Sequence, residues 1–314
     1  MKEKLMAKGK LIWKGSFLIF FIPLSSFLIF LSSCSSTPRQ TGEVFIERDM
    51  ALAHLNLANQ TANRGRYEEA LMILEEARRL AVSTDDPSLR IRSSLSRGNF
   101  LFFLGRTEEA FLEWESASLE GETSGQSSLA ALVRIYAIRA RILLLTDESD
   151  KTPVGGSSVG GANSTAEELR ARLNREIVLV RGNDISTAAA YITLGLAERQ
   201  LGRWDNAEME LRRALDIHQR NNNLEDIAYV WFLIASVRSL AGNHAASLEA
   251  LRAAIDFDRR LENGFGLASS WQAMGDVYQN AGRFEESKAA RRRAAEIFRA
   301  IGFTQRAEIL EMAL

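Results

Sequence analysis

This chain of 314 residues has one cysteine, four prolines and three histidines, and each scarcity excludes something. A single cysteine, Cys34, cannot form an intramolecular disulfide. His54, His218 and His244 are far apart in sequence and lack ligand spacing with Asp or Glu, so no metal site is expected. The glycine-rich run from Gly155 to Gly161 does not end in Gly-Lys-Ser/Thr, so it is not a phosphate loop, and no Gly-x-Ser-x-Gly elbow occurs. Paired carboxylates such as Glu285-Glu286 fall at expected helix starts, where they complement the helix dipole. Neither an enzyme nor a cofactor site is expected. Pro23, Pro38, Pro87 and Pro153 all miss the expected helix interiors of residues 45–314, and the composition is rich in Ala, Leu, Arg and Glu. That combination reads as an all-helical chain.

Excess charge of either sign is also missing, with 39 basic against 40 acidic side chains. Five of the lysines, and only Glu3 among the acids, lie in residues 1–33, so the remainder carries a net charge near −5. An acidic chain has no electrostatic pull towards phosphate backbones, so no nucleic-acid partner is expected.

What the sequence does have is a period. Gly65, Gly105, Gly202, Gly242 and Gly282 are 40 residues apart, except for a gap of 97 between Gly105 and Gly202. The gap equals two periods with an excess of 17. Seven residues before the glycines stand Ala58, Gly98, Gly195, Ala235 and Gly275. Five after them come Ala70, Ala110, Ala207, Ser247 and Ser287, and twelve after come Ala77, Ala117, Ala214, Ala254 and Ala294. Small side chains in these columns allow two antiparallel helices to approach closely around a glycine turn. A period in this range is the mark of a solenoid, an architecture that presents long binding surfaces.

Large residues fill complementary columns, among them Tyr67, Trp204 and Phe284, with Tyr191, Trp231 and Trp271 on the preceding helices. The final repeat reads Trp271-x-x-Met274-Gly275-x-x-Tyr278, followed by Gly282 and Phe284. This resembles the tetratricopeptide repeat (TPR), in a variant of 40 rather than about 34 residues. The resemblance spans residues 45–300, with Ser94 and Arg97 departing from the pattern in the second repeat. It implies a right-handed TPR-like α-solenoid over 45–314, of about six helix pairs plus a C-terminal capping helix from Thr304. The third pair is expected to be interrupted by a flexible loop over 147–163, from which Ser164-x-x-Glu167 and Thr165-x-x-Glu168 would restart the helix as capping boxes. That loop reads as a tolerated insertion, or alternatively as a lid.

Residues 1–33 stand apart from the repeats. Lys2, Lys4, Lys8, Lys10 and Lys14 precede an apolar run from Phe17 to Leu31, the layout of a secretory signal. The run ends in Leu31-Ser32-Ser33-Cys34, which resembles the lipobox of bacterial lipoproteins. The resemblance implies cleavage before Cys34 and acylation of that cysteine, with 34–44 serving as a polar tether. A plain membrane anchor is the alternative, although the run is short of the roughly 20 residues that spanning needs and contains Pro23 and Ser25-Ser26. Ser35, where an aspartate would signal inner-membrane retention, points to the outer membrane of the bacterial envelope, facing the periplasm.

In tetratricopeptide domains the first helix of each pair lines a concave groove. Six residues before the glycines stand Asn59, Asn99, Leu196, Ser236 and Asp276. With Asn56, Asn63, Phe102, Arg199, Phe232 and Gln272 they form the candidate groove for a protein or peptide ligand. Asparagine amides donate and accept together, which suits an extended backbone. A carboxylate clamp is not expected, because Leu55, Leu95, Ile192, Phe232 and Gln272 stand where its lysines would. The expected function is a membrane-anchored scaffold lipoprotein mediating protein–protein interactions. The alternatives are a surface-exposed adhesin or an accessory of a periplasmic solute transporter.

Overall fold

Each helix of this protein is a piece of almost fixed length, and the fold follows from stacking those pieces. The computed structural model describes residues 46–151 and 158–312. Cys34, the signal at 1–33, the tether and residues 152–157 of the expected loop lie outside the described residues. Among those that are described there are thirteen α-helices and no strand: α1 (Ile46–Asn63), α2 (Tyr67–Ser83), α3 (Pro87–Phe103), α4 (Thr107–Thr123), α5 (Ser127–Lys151), α6 (Ser158–Val180), α7 (Asp184–Gln200), α8 (Trp204–Arg220), α9 (Leu224–Leu240), α10 (His244–Arg260), α11 (Gly264–Asn280), α12 (Phe284–Ala300) and α13 (Thr304–Met312). This is the expected all-α solenoid of six pairs and a cap. None of these helices is long and apolar enough to cross a membrane.

The turns are made alike. After α3, the Gly105 N–H bonds to the Phe102 carbonyl at 3.0 Å and the Arg106 N–H to the Leu101 carbonyl at 2.9 Å. This is the Schellman closure, with the central residue at positive φ. The same geometry recurs every 20 residues from Gly65 to Gly125 and from Gly202 to Gly302, including between pairs, where Asp85, Asn222 and Glu262 take φ of 49°, 51° and 53° in place of glycine. The underlying unit is therefore one helix and one turn, half the period that the glycines display. Asn183, Asn243 and Asn263 then cap the following helices by accepting from the amides of Ser186, Ala246 and Gly266. Asp86 caps α3 by accepting from Leu89, with Pro87 at its first position, where a missing N–H costs nothing.

The third pair differs from the expectation. Helices α5 and α6 run to 25 and 23 residues, against 17 for most others. Helix thus takes up both flanks of the segment expected to be a loop, and absorbs most of the 17-residue excess. Ser164 and Thr165 lie inside α6 rather than at its start. Once the stretch to Val180 is helical, adding further N-terminal turns avoids a second nucleation cost, which outweighs the local caps.

The three small-residue columns form the seams of the stack. Ala70, Ala110, Ala207, Ser247 and Ser287 are at most 1% exposed, as are Ala77, Ala117, Ala214, Ala254 and Ala294. One large core runs from Ala131 of α5 to Ala290 of α12, with smaller clusters in the first two pairs and under the cap. First helices of neighbouring pairs touch directly, α3 with α5, α5 with α7 and α9 with α11. Among the described residues no two second helices pack comparably, so the first helices line the tighter, concave side.

Candidate peptide-binding groove

Several of the candidate groove residues meet across neighbouring first helices. Ser96 Oγ on α3 donates to Asn59 Oδ1 on α1 at 2.9 Å. Arg199 Nη1 on α7 donates to Ser236 Oγ on α9 at 3.1 Å. The groove floor is thereby stitched by bonds that join pair to pair. Asn56 is exposed, while Asn99, Phe232 and Gln272 are half-buried. Phe102 is also half-buried, with its ring 6.1 Å from Trp114 and 5.8 Å from Phe103. Asn63 reaches outside its own pair, to Glu225.

Two positions of the column behave differently. Leu196 is 1% exposed and belongs to the core, where α7 packs against the long helices α5 and α6 before it and against α8 after it. Asp276 accepts from Arg291 Nη2 at 2.9 Å, which turns it towards the second helix of its own pair.

The column also contains a residue that the glycine pattern hides. Arg139 stands 40 residues after Asn99, in the pair that has no marker glycine. Its Nη2 donates to the Ala189 carbonyl at 2.7 Å and its Nε to Thr193 Oγ1 at 3.1 Å, both on α7. The same guanidinium lies 4.5 Å above the Tyr136 ring. Burial pushes the Tyr136 hydroxyl above its ordinary range, opposed by the charge of Arg139, with Asp226 and Tyr229 of α9 within electrostatic reach. Extending the 40-residue step from Asn99 is the sequence signal that finds Arg139.

Tetratricopeptide-repeat family models match residues 186–260 and 268–300. The chain carries tetratricopeptide repeats. The matched stretches cover pairs four and five and much of pair six; the first two pairs keep the same turns and seams outside them. No curated protein sequence matches the chain. Among solved structures it is similar to Rap protein complexed with Competence and Sporulation Factor, at 16% identity and a TM-score of 0.54, covering 82% of this chain and 68% of that one. It is also similar to BtubC (BKLC) from P. vanneervenii, at 18% identity and a TM-score of 0.47, covering 77% and 91%. A third is a putative kinesin light chain from Podosopora anserina with nearly identical TPR-like repeats, at 13% identity and a TM-score of 0.39, covering 78% and 93%. These likenesses concern the fold.

The tetratricopeptide seams also hold ionisable groups at equivalent places. His218 and Asp258, 40 residues apart, are 3% and 4% exposed near the ends of α8 and α10. Burial lowers the His218 pKa against the pull of Asp226, whose carboxylate lies 3.6 Å away. Burial raises Asp258 to about 7, opposed by the Asn263 amide that donates to it at 2.8 Å. Among the described residues, no group of three or more His, Cys, Asp or Glu could hold a metal ion.

Proposed function

We propose that this protein is a non-catalytic, lipid-anchored tetratricopeptide scaffold of the bacterial envelope that grips extended protein segments along its first helices. The observation that carries the binding half is the stitched inner layer. Hydrogen bonds from Ser96 to Asn59 and from Arg199 to Ser236 hold neighbouring first helices in register, and the half-buried Asn99 and Phe102 lie on α3 next to the Asn59 helix. Such a surface offers donors, acceptors and apolar footholds at a repeat-scale spacing, which an extended backbone can use. The Rap protein of similar fold was crystallised with Competence and Sporulation Factor, which supports ligand binding by this type of coil. Lipid anchoring rests on the sequence from Lys2 to Cys34. Several acyl chains on one residue hold a protein at a membrane stably, where one chain does not.

Two experiments test this. Radiolabelled palmitate should mark the wild-type chain and not Cys34→Ala; equal labelling of both removes the lipoprotein reading. Replacing Asn59, Asn99 and Phe232 with Ala should reduce the partners crosslinked in cells while circular dichroism stays unchanged. Undiminished capture by the triple variant places binding elsewhere.

A further inference from the structure

The turn between α1 and α2 makes contacts that a solenoid with only neighbour-to-neighbour packing would not have. Asn63 Nδ2 donates to Glu225 Oε2 at the start of α9, at 2.6 Å and across 162 residues of chain. Gly65 is buried, and a Cβ on it would stand 2.5 Å from the Phe265 ring and 2.9 Å from the Phe303 ring. Phe265 opens α11, and Phe303 sits in the turn before the cap. Both belong to an aromatic knot with Phe298, with ring centroids 5.2 to 6.2 Å apart, and the Arg306 guanidinium lies 5.2 Å from Phe265 and Phe298. Tyr67 stacks on Phe103 at 5.3 Å and feels the charge of Arg306. The edge of the first pair therefore meets the edges of pairs five and six and the cap.

The molecule contains its own control for this contact. Gly105 occupies the same turn position one period later, with the same φ of 78°, and a Cβ there would meet nothing within 4 Å. Glycine at Gly105 answers only the backbone. At Gly65 it answers the backbone and a close approach by distant aromatic rings.

We propose that the α1–α2 turn is a latch that closes the coil on itself, so that the concave surface is reached by releasing this turn from Glu225, Phe265 and Phe303. The latch is small, one exposed hydrogen bond and one aromatic contact around a glycine. It is a reversible closure, and the remainder of the stack does not depend on it, because every pair is also held by its neighbours. Opening it uncovers Tyr67 and the inner faces of α1 and α3.

The test uses the full chain, small-angle X-ray scattering and nitration of tyrosines by tetranitromethane, mapped by mass spectrometry. Gly65→Ala places a methyl group where Phe265 and Phe303 stand. It should raise the radius of gyration and speed nitration of Tyr67 several-fold. Gly105→Ala introduces the same backbone strain and should change neither. Glu225→Lys, at an exposed position, removes the acceptor of Asn63 and should speed Tyr67 nitration even if Gly65→Ala fails to fold. Unchanged nitration in Glu225→Lys, or equal loosening by Gly65→Ala and Gly105→Ala, overturns the latch.

Discussion

Ala58, Gly98, Gly195, Ala235 and Gly275 share one column, yet the space around each differs. A Cβ on Gly98 would lie 2.3 Å from the indole nitrogen of Trp114, a ring 2% exposed that cannot move freely. On Gly275 the nearest atom, at 2.7 Å, is Cγ of the flexible Arg291, although the Ser287 carbonyl is close behind at 3.2 Å. Overpacking a tight core costs roughly 1–3 kcal/mol. Gly98→Ala is therefore expected to lower the melting temperature clearly, and Gly275→Ala to lower it less, in thermal scans of the two variants side by side. The column itself was legible in the sequence because repeats align small residues. The partner that makes Gly98 indispensable, Trp114, was not, since it occurs in one repeat alone.

His218 and Asp258 act on stability with opposite signs. Asp258 has a folded pKa raised from 3.8 to about 7, so its contribution is complete below the ordinary carboxylate range and is lost as pH rises through 7. His218 has a folded pKa below 6.5, so its contribution is present above that value and is lost as pH falls below it. Asp258→Asn should therefore flatten the alkaline limb of a urea-stability profile and stabilise the protein near pH 8. An alkaline limb as steep as that of the wild type would mean that Asp258 is solvated.

At the scale of the element, the turn governs. Five turns within pairs are marked by glycine, which is why the pairs could be drawn from sequence. Turns between pairs use the same left-handed residue, but only Gly125, Gly182 and Gly302 fill it with glycine, while Asp85, Asn222 and Glu262 take the other places, so the 20-residue step is broken as a sequence mark. Asp and Asn tolerate that region; Glu does so at a cost. Glu262→Gly should raise stability by about 0.5–1 kcal/mol, as relief of strain outweighs added unfolded-state freedom. Asn222→Gly should be close to neutral. Chemical denaturation of both checks the contrast. Helix α6 was misjudged for a related reason. Capping motifs at Ser164 and Thr165 are local signals, and propagation from the packed stretch around Leu169 and Leu173 overrides them.

Across the whole molecule, the solenoid could be read from the sequence but its closure could not. Periodic columns encode contacts between neighbours, whereas the meeting of Gly65 with Phe265 and Phe303 joins unlike positions far apart and repeats nowhere. The candidate groove residues differ in how far the pattern places them. Asn59 and Ser236 lie where the column placed them and are bonded across pairs, while Arg139 was hidden by the absent glycine of the third pair.

The uniform turn makes the chain modular, since excising residues 203–242 would join Gly202 to Asn243 in the sequence setting that Gly242 now provides. Local packing would survive such a deletion, and helicity per residue should hold in circular dichroism. Tyr67 should nevertheless lose its protection from nitration, because a coil that is one pair shorter no longer brings its last edge round to its first. A linear repeat protein can gain or lose units and keep working along its length. Here the pairs lying between Gly65 and Phe303 span a circumference, and removing one should draw those two edges apart.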